Sequence, residues 1–109
     1  MIQAQFYEAE NGRKPLREWL LGLIEHARRV IGYDIHTVEF DWPIGIPTCR
    51  SLGGGLWEVR SDLLNGKIGR VIFCIMNGDM ILLHGFMKKT QKTPMQDIDF
   101  AIKRKKEIE

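Results

Sequence analysis

Leu52-Gly53-Gly54-Gly55-Leu56-Trp57-Glu58-Val59-Arg60 opens the stretch whose reading decides the fold, and Leu82-Leu83-His84-Gly85-Phe86-Met87-Lys88-Lys89-Thr90-Gln91-Lys92-Thr93-Pro94 closes it. Between them, Asn65-Gly66 and Asn77-Gly78 divide residues 50–94 into three apolar runs. Asn-Gly supplies the positive φ angles that tight hairpins need, so the stretch predicts a three-strand antiparallel meander. In the first strand Trp57, Val59 and Ser61 share one face, and Leu56, Glu58, Arg60 and Asp62 share the other. In the second, Val71, Phe73 and Ile75 alternate with Arg70, Ile72 and Cys74. A two-residue loop at Asn65-Gly66 would set Arg70 opposite Ser61. A three-residue loop, Leu64-Asn65-Gly66, would set it opposite Arg60, with Val71 opposite Val59. A one-residue slip exchanges all faces, and the buried pattern decides between registers. Pairing Trp57 and Val59 with Val71 and Phe73 makes the better core. Glu58, Arg60 and Arg70 are therefore expected on one face, a sheet surface suited to phosphate.

The flanking segments read as supports for this meander. Ile2, Ala4 and Phe6 alternate with Gln3, Gln5 and Tyr7, a short strand with one buried face. Pro15 suits the first position of a helix, where its missing N–H costs nothing. Leu16, Trp19, Leu20, Leu23, Ile24 and Ala27 follow at helical spacing. Gly32 is read as a break before a second helix from Tyr33 to about Phe40, the two forming a hairpin on the sheet. Trp42-Pro43 and Gly45-Ile46-Pro47 read as a loop. Thr93-Pro94-Met95-Gln96 reads as a helix start with Thr93 as N-cap and Gln96 as its capping-box partner. Met95, Ile98, Ala101, Ile102 and Ile108 give this terminal helix an apolar stripe. Three glycines at 53–55 precede neither a helix nor Gly-Lys-Ser/Thr, so they mark a bend into the sheet rather than a nucleotide loop. The expected class is α+β, one domain over residues 1–109.

Charge is distributed unevenly. The chain has 109 residues and a net charge of +2, but residues 1–48 sum to −2, 49–85 to +1 and 86–109 to +3. Clustered cations bind polyanions even on a nearly neutral chain; for Lys103-Arg104-Lys105-Lys106 a solvated helix face is the competing reading. The two cysteines, Cys49 and Cys74, have no metal-ligand spacing, and Cys74 within Val71-Ile72-Phe73-Cys74-Ile75 reads as a buried free thiol. His26 and His36 read as surface or boundary residues. The first residues lack the pattern of a signal peptide and no run approaches a membrane span, so a reducing, cytoplasmic setting without membrane contact is expected.

The segments Leu56-Trp57-Glu58-Val59-Arg60 and Gly85-Phe86-Met87-Lys88-Lys89-Thr90-Gln91-Lys92-Thr93-Pro94 resemble the RelE/ParE superfamily of type II toxin–antitoxin toxins, in its phage-derived HigB-like branch. Phe6-Tyr7, the helix over residues 15–24 and Leu52-Gly53-Gly54-Gly55 also fall where that branch has them, so the likeness covers nearly the whole chain. The resemblance implies a small RelE-like fold: an N-terminal strand and helical hairpin packed on a twisted antiparallel sheet, with a C-terminal helix. It implies a ribosome-dependent mRNA endonuclease acting in the A site without a cofactor or metal. Its implied partners are the ribosome, mRNA and a cognate antitoxin, often a helix-turn-helix protein. Arg70 stands where RelE-type nucleases contact the scissile phosphate, and Lys88 and Lys89 where a basic pair follows the last strand. Glu58 stands near a strand lysine of RelE, with the charge reversed. RelE's C-terminal tyrosine has no counterpart, since Phe100 cannot ionise.

RNA cleavage by 2′-OH attack needs in-line orientation, removal of the hydroxyl proton, stabilisation of phosphate charge and protonation of the 5′-oxygen. Arg70 suits charge stabilisation because guanidinium is permanently charged and grips phosphate oxygens in pairs. Lys88 or Lys89 would add a second cation, and Arg50, Arg60 and Lys92 are candidate RNA contacts. Glu58 and His84 are the candidates for base and acid. For each the alternative stays open: Glu58 as an ion-pair partner of Arg60, His84 as a satisfied core residue. Phe86 is a candidate base-stacking residue or a core residue. Two other functions compete, a ParE-like toxin binding a protein such as DNA gyrase and a nucleic-acid-binding accessory protein. Metal-nuclease and triad-hydrolase readings lack the required carboxylate cluster or spacing.

Overall fold

The computed structural model describes residues 1–88 and 92–109, with the Lys88 side chain excluded. Strands β1 (Gln3–Phe6), β2 (Cys49–Gly53), β3 (Leu56–Asp62), β4 (Ile68–Met76) and β5 (Asp79–Lys88) form a five-stranded sheet in the order β1-β5-β4-β3-β2. Helices α1 (Pro15–Leu21) and α2 (Glu25–Asp41) cover one face, and α3 (Met95–Ile108) covers the other. The class is α+β, as the sequence predicts.

The meander has the expected register. Arg60 faces Arg70, Val59 faces Val71 and Trp57 faces Phe73. The connection is the three-residue loop Leu64–Gly66, closed by the Leu63 N–H donating to the Lys67 carbonyl at 2.9 Å. Asn65 and Gly66 have φ of 61° and 71°, the left-handed region that Asn and Gly tolerate best. Between β4 and β5 the pairing shifts, so that Ile72 faces His84 while Phe73 faces Leu82. The extra residue, Leu83, turns inward on the α3 face. This bulge puts both Leu83 and His84 under α3.

Three expectations are corrected. The sheet is mixed rather than antiparallel, because β1 pairs parallel to β5. A two-residue hairpin cannot make a parallel pair; here α1, α2 and the strands β2–β4 intervene. The helices divide at Gly22-Leu23-Ile24, not at Gly32. A side chain built on Gly32 would meet nothing within 4 Å, so this glycine rides on the open side of α2 and lowers its propensity without breaking it. Ile24, placed in the core by periodicity, is largely exposed because α1 has already ended. Finally, Thr93 does not cap α3: Pro94 is the N-cap residue, and no side-chain cap bond forms.

The face under α1 and α2 is apolar throughout. Leu16, Ile31, Ile35, Val38, Val59, Val71, Phe73, Met80 and Leu82 make its core. A Cβ on Gly85 would come within 2.5 Å of Leu16 and Trp19, so the absent side chain lets α1 lie directly on β5. The opposite core is smaller: Tyr7, Leu56, Ile72, Cys74, Leu83, Phe86 and Ala101. Cys49 and Cys74 are buried free thiols; burial, then the Glu58 charge, pushes Cys49 up to about 11. Among the described residues, no helix is long and apolar enough to cross a membrane.

Candidate functional site, an arginine-lined cleft

Strand alternation carries Glu58 and Arg60 to the α3 side of β3, and the register sets Arg70 beside them on β4. Strand β2 adds Arg50 directly opposite Glu58. The loop before β2 supplies Ile46 and Pro47. These six residues line a cleft of about 220 Å³. Three of its six lining residues are arginines and one is a carboxylate, so the cleft suits an anion.

Glu58 is only 2% exposed and Arg70 1%. The Arg50 Nε donates to Glu58 Oε1 at 3.2 Å, and Arg70 Nη1 lies 3.7 Å from the same oxygen. Thr93 completes the set. Its hydroxyl donates to Glu58 Oε2 at 2.5 Å and accepts from Arg50 Nη2 at 3.1 Å and Arg70 Nη1 at 3.3 Å. Burial lowers the Arg70 pKa; Glu58 opposes that shift, while Arg50 and Arg60 reinforce it. Arg70 is thus a fixed floor of the cleft. Arg50 and Arg60, with side chains 43% and 34% exposed, remain reachable.

Arg60 pairs with Asp62, at 3.5 Å, rather than with Glu58, whose ion partners are Arg50 and Arg70. Glu58 and Asp62 are both two positions from Arg60 on the same strand face, but Glu58 is already engaged by Arg50 from β2 and Arg70 from β4. His84 does not line the cleft. It stacks between Phe86 and Phe100, with ring centroids at 5.8 and 5.2 Å. Its Nε2 lies 2.7 Å from Asp97 Oδ1, and Arg104 Nη1 lies 3.3 Å from its Nδ1. Arg104 can only donate, so Nδ1 accepts and the proton sits on Nε2, facing Asp97: a neutral imidazole. Burial, with the Arg104 charge adding to it, lowers the His84 pKa against the opposing pull of Asp97. Phe86 belongs to the second core. Arg104, in a run that reads from sequence as either a polyanion-binding cluster or a solvated helix face, donates to the Leu83 carbonyl at 2.7 Å and lies over the rings of Tyr7 and Phe100.

Lys88 ends β5 opposite Ile68, Lys92 is exposed just before Thr93, and Lys89 lies outside the described residues. The sequence pattern marks Thr93 as a local cap, Ile46 and Pro47 only as loop and Arg104 only as one of a run of cations, and gives no sign of Asp97. A buried threonine between two arginines and a glutamate leaves no mark in a sequence, because its partners are 23 to 43 residues away. Among the described residues, no group of three or more His, Cys, Asp or Glu could hold a metal ion.

No curated protein matches the chain. A family model described as phage derived protein Gp49-like (DUF891) matches residues 18–106, a span that includes every cleft residue and Thr93. The chain belongs to the phage-derived Gp49-like family.

Proposed function

We propose that the protein is the toxin of a type II toxin–antitoxin pair and acts as a ribosome-dependent mRNA endonuclease. The observation that carries this reading is the cleft, which Arg50, Arg60 and Arg70 line together with one buried carboxylate, Glu58. Membership in the Gp49-like family, which is toxin-like, supports it. The partners implied are a cognate antitoxin, the ribosome and mRNA.

In this reading the scissile phosphate enters beside Arg50 and Arg60, over the Arg70 floor. The 2′-oxygen forms a bond to phosphorus as the bond to the 5′-oxygen breaks, leaving a 2′,3′-cyclic phosphate and a 5′-hydroxyl. Charge growing on the non-bridging oxygens is met by fixed guanidinium groups, which need no reorganisation at that moment. The 2′-proton leaves to a base and a proton reaches the 5′-oxygen. Glu58 is the carboxylate lining the cleft, and serving as base requires it to exchange its Thr93 or Arg50 bond for the 2′-hydroxyl. In this reading Lys88 and Lys89 supply further positive charge or the acid. The test is expression without antitoxin, followed by mapping of mRNA 5′ ends on translating ribosomes. New 5′-hydroxyl ends within translated frames are expected, and Arg70→Ala should abolish them.

Two observations favour a second reading, a toxin that binds without cutting. Both Glu58 oxygens are engaged, and His84 is held away from the cleft by Asp97 and Arg104. Growth arrest with no new mRNA ends would select that reading, with a protein target such as DNA gyrase or a nucleic acid held without cleavage.

A further inference from the structure

We propose that Thr93 is the positioning residue of the arginine cleft, and that it ties the geometry of Arg50 and Arg70 to the docking of α3. The inference deepens the reading of the cleft as an RNA site and rests on it for its functional consequence; the positioning itself can be measured without RNA.

A threonine hydroxyl has one proton to donate and two lone pairs to accept with. At Thr93 all three are used within the site: the proton on Glu58 Oε2, and the lone pairs on Arg50 Nη2 and Arg70 Nη1. Arg50 also donates through Nε to Glu58 Oε1, so Arg50, Glu58 and Thr93 close a ring of hydrogen bonds. Each of these bonds has a charged member and is correspondingly strong. Two guanidinium groups repel each other; a shared neutral acceptor beside a shared carboxylate holds them in one arrangement. The branched Cβ of threonine restricts χ1, so the hydroxyl is aimed as well as present. Thr93 is 5% exposed and lies within the protein rather than at the cleft mouth.

Its place in the chain gives the second half of the proposal. Thr93 stands two residues before Met95, the first residue of α3. That helix is docked by buried Ala101, by Asp97 on His84 and by Arg104 on the Leu83 carbonyl. The seat of α3 on the sheet therefore sets where the Thr93 hydroxyl sits, and the hydroxyl sets where the arginines point.

Thr93→Val keeps the shape and removes the hydroxyl, and Thr93→Ser keeps the hydroxyl. The first measurement is NMR of the Arg50 and Arg70 Nε–Hε groups in the isolated protein. Thr93→Val should raise their exchange with water at least tenfold while thermal melting stays cooperative; Thr93→Ser should stay within about twofold of wild type. The second is binding of a short single-stranded oligoribonucleotide, where a loss of at least fivefold is expected for Val and less than twofold for Ser. Arginine signals in folded Thr93→Val that match wild type would overturn the proposal. So would a Thr93→Ser protein as defective as Thr93→Val. Thr93→Ala removes the same hydroxyl without a second methyl and is read in the same way. If neither Val nor Ala folds, the hydroxyl holds the fold rather than the site, and the proposal fails. Ordered arginines without any mRNA cleavage by the wild-type protein would remove the nuclease reading alone.

Discussion

The two faces of the sheet are built on different principles. Under α1 and α2 the contacts are apolar and close, to the point that Gly85 has no room for a methyl group against Leu16 and Trp19. Under α3 and toward the cleft, charged and polar groups sit against the sheet: buried Arg70, Glu58 and Thr93, and then half-buried His84 with Asp97 and Arg104. Apolar burial stabilises without direction, whereas a buried charge is tolerable only with partners in defined places. The first face thus holds the fold, and the second holds side chains in position. A sheet carrying both lets the site bear electrostatic cost while the opposite core supplies the stability.

The comparison can be broken most severely at Glu58. Removing one member of a buried ion pair costs about 3–5 kcal/mol because the remaining charge stays desolvated. Glu58→Ala should lose that much in urea unfolding, close to the about 3–5 kcal/mol expected for Phe73→Ala in the apolar core. A loss below about 1 kcal/mol, the range of an exposed pair, would show that the polar face is not held by this carboxylate. Gly85→Ala comes next: overpacking against Leu16 and Trp19 should cost about 1–3 kcal/mol, with oligoribonucleotide affinity unchanged. A parallel loss of affinity would mean that the faces are coupled through β5.

His84 probes the polar face by pH. Its folded pKa lies below the ordinary value, so the unfolded chain takes up the proton first. Stability from the neutral ring is therefore present above about pH 6.5 and is lost as the pH falls from there toward the lowered folded pKa. Unfolding midpoints between pH 7.5 and 5 should fall more steeply for wild type than for His84→Gln; equal slopes would contradict the buried neutral imidazole. The smallest stability effect belongs to Arg60→Gln. Its partner Asp62 is 84% exposed, and such pairs contribute about 0–1 kcal/mol. Binding of RNA should nevertheless weaken, which separates a residue that contacts ligand from those that hold the site.

The register was legible because two independent signals agreed: the alternation of Trp57, Val59, Val71 and Phe73, and the Leu64-Asn65-Gly66 turn. That agreement also placed Glu58, Arg60 and Arg70 on one face from sequence alone. Other features depend on distant contacts. Thr93-Pro94-Met95-Gln96 has the local pattern of a capping box, but charge-assisted bonds to Glu58 and two arginines outweigh a cap. Gly32 shows the converse, a residue read as punctuation that α2 simply carries. Nothing in residues 3–6 announces a parallel partner, since the alternation of a short strand is the same for either direction. His84 came to rest under α3 because a one-residue bulge at Leu83 intervened, which no alternation pattern foretells.

The parallel strand β1 has a consequence for the order of assembly. β3, β4 and β5 are joined by short turns and meet at once, but Gln3 pairs with Asp79 across most of the chain. Long-range closures carry a larger entropic cost and are made late in folding. Strand β1 is thus expected to be the last to join the sheet. Conservative changes in β1 should speed unfolding and leave the folding rate unchanged, while changes in the β3–β4 hairpin should slow folding.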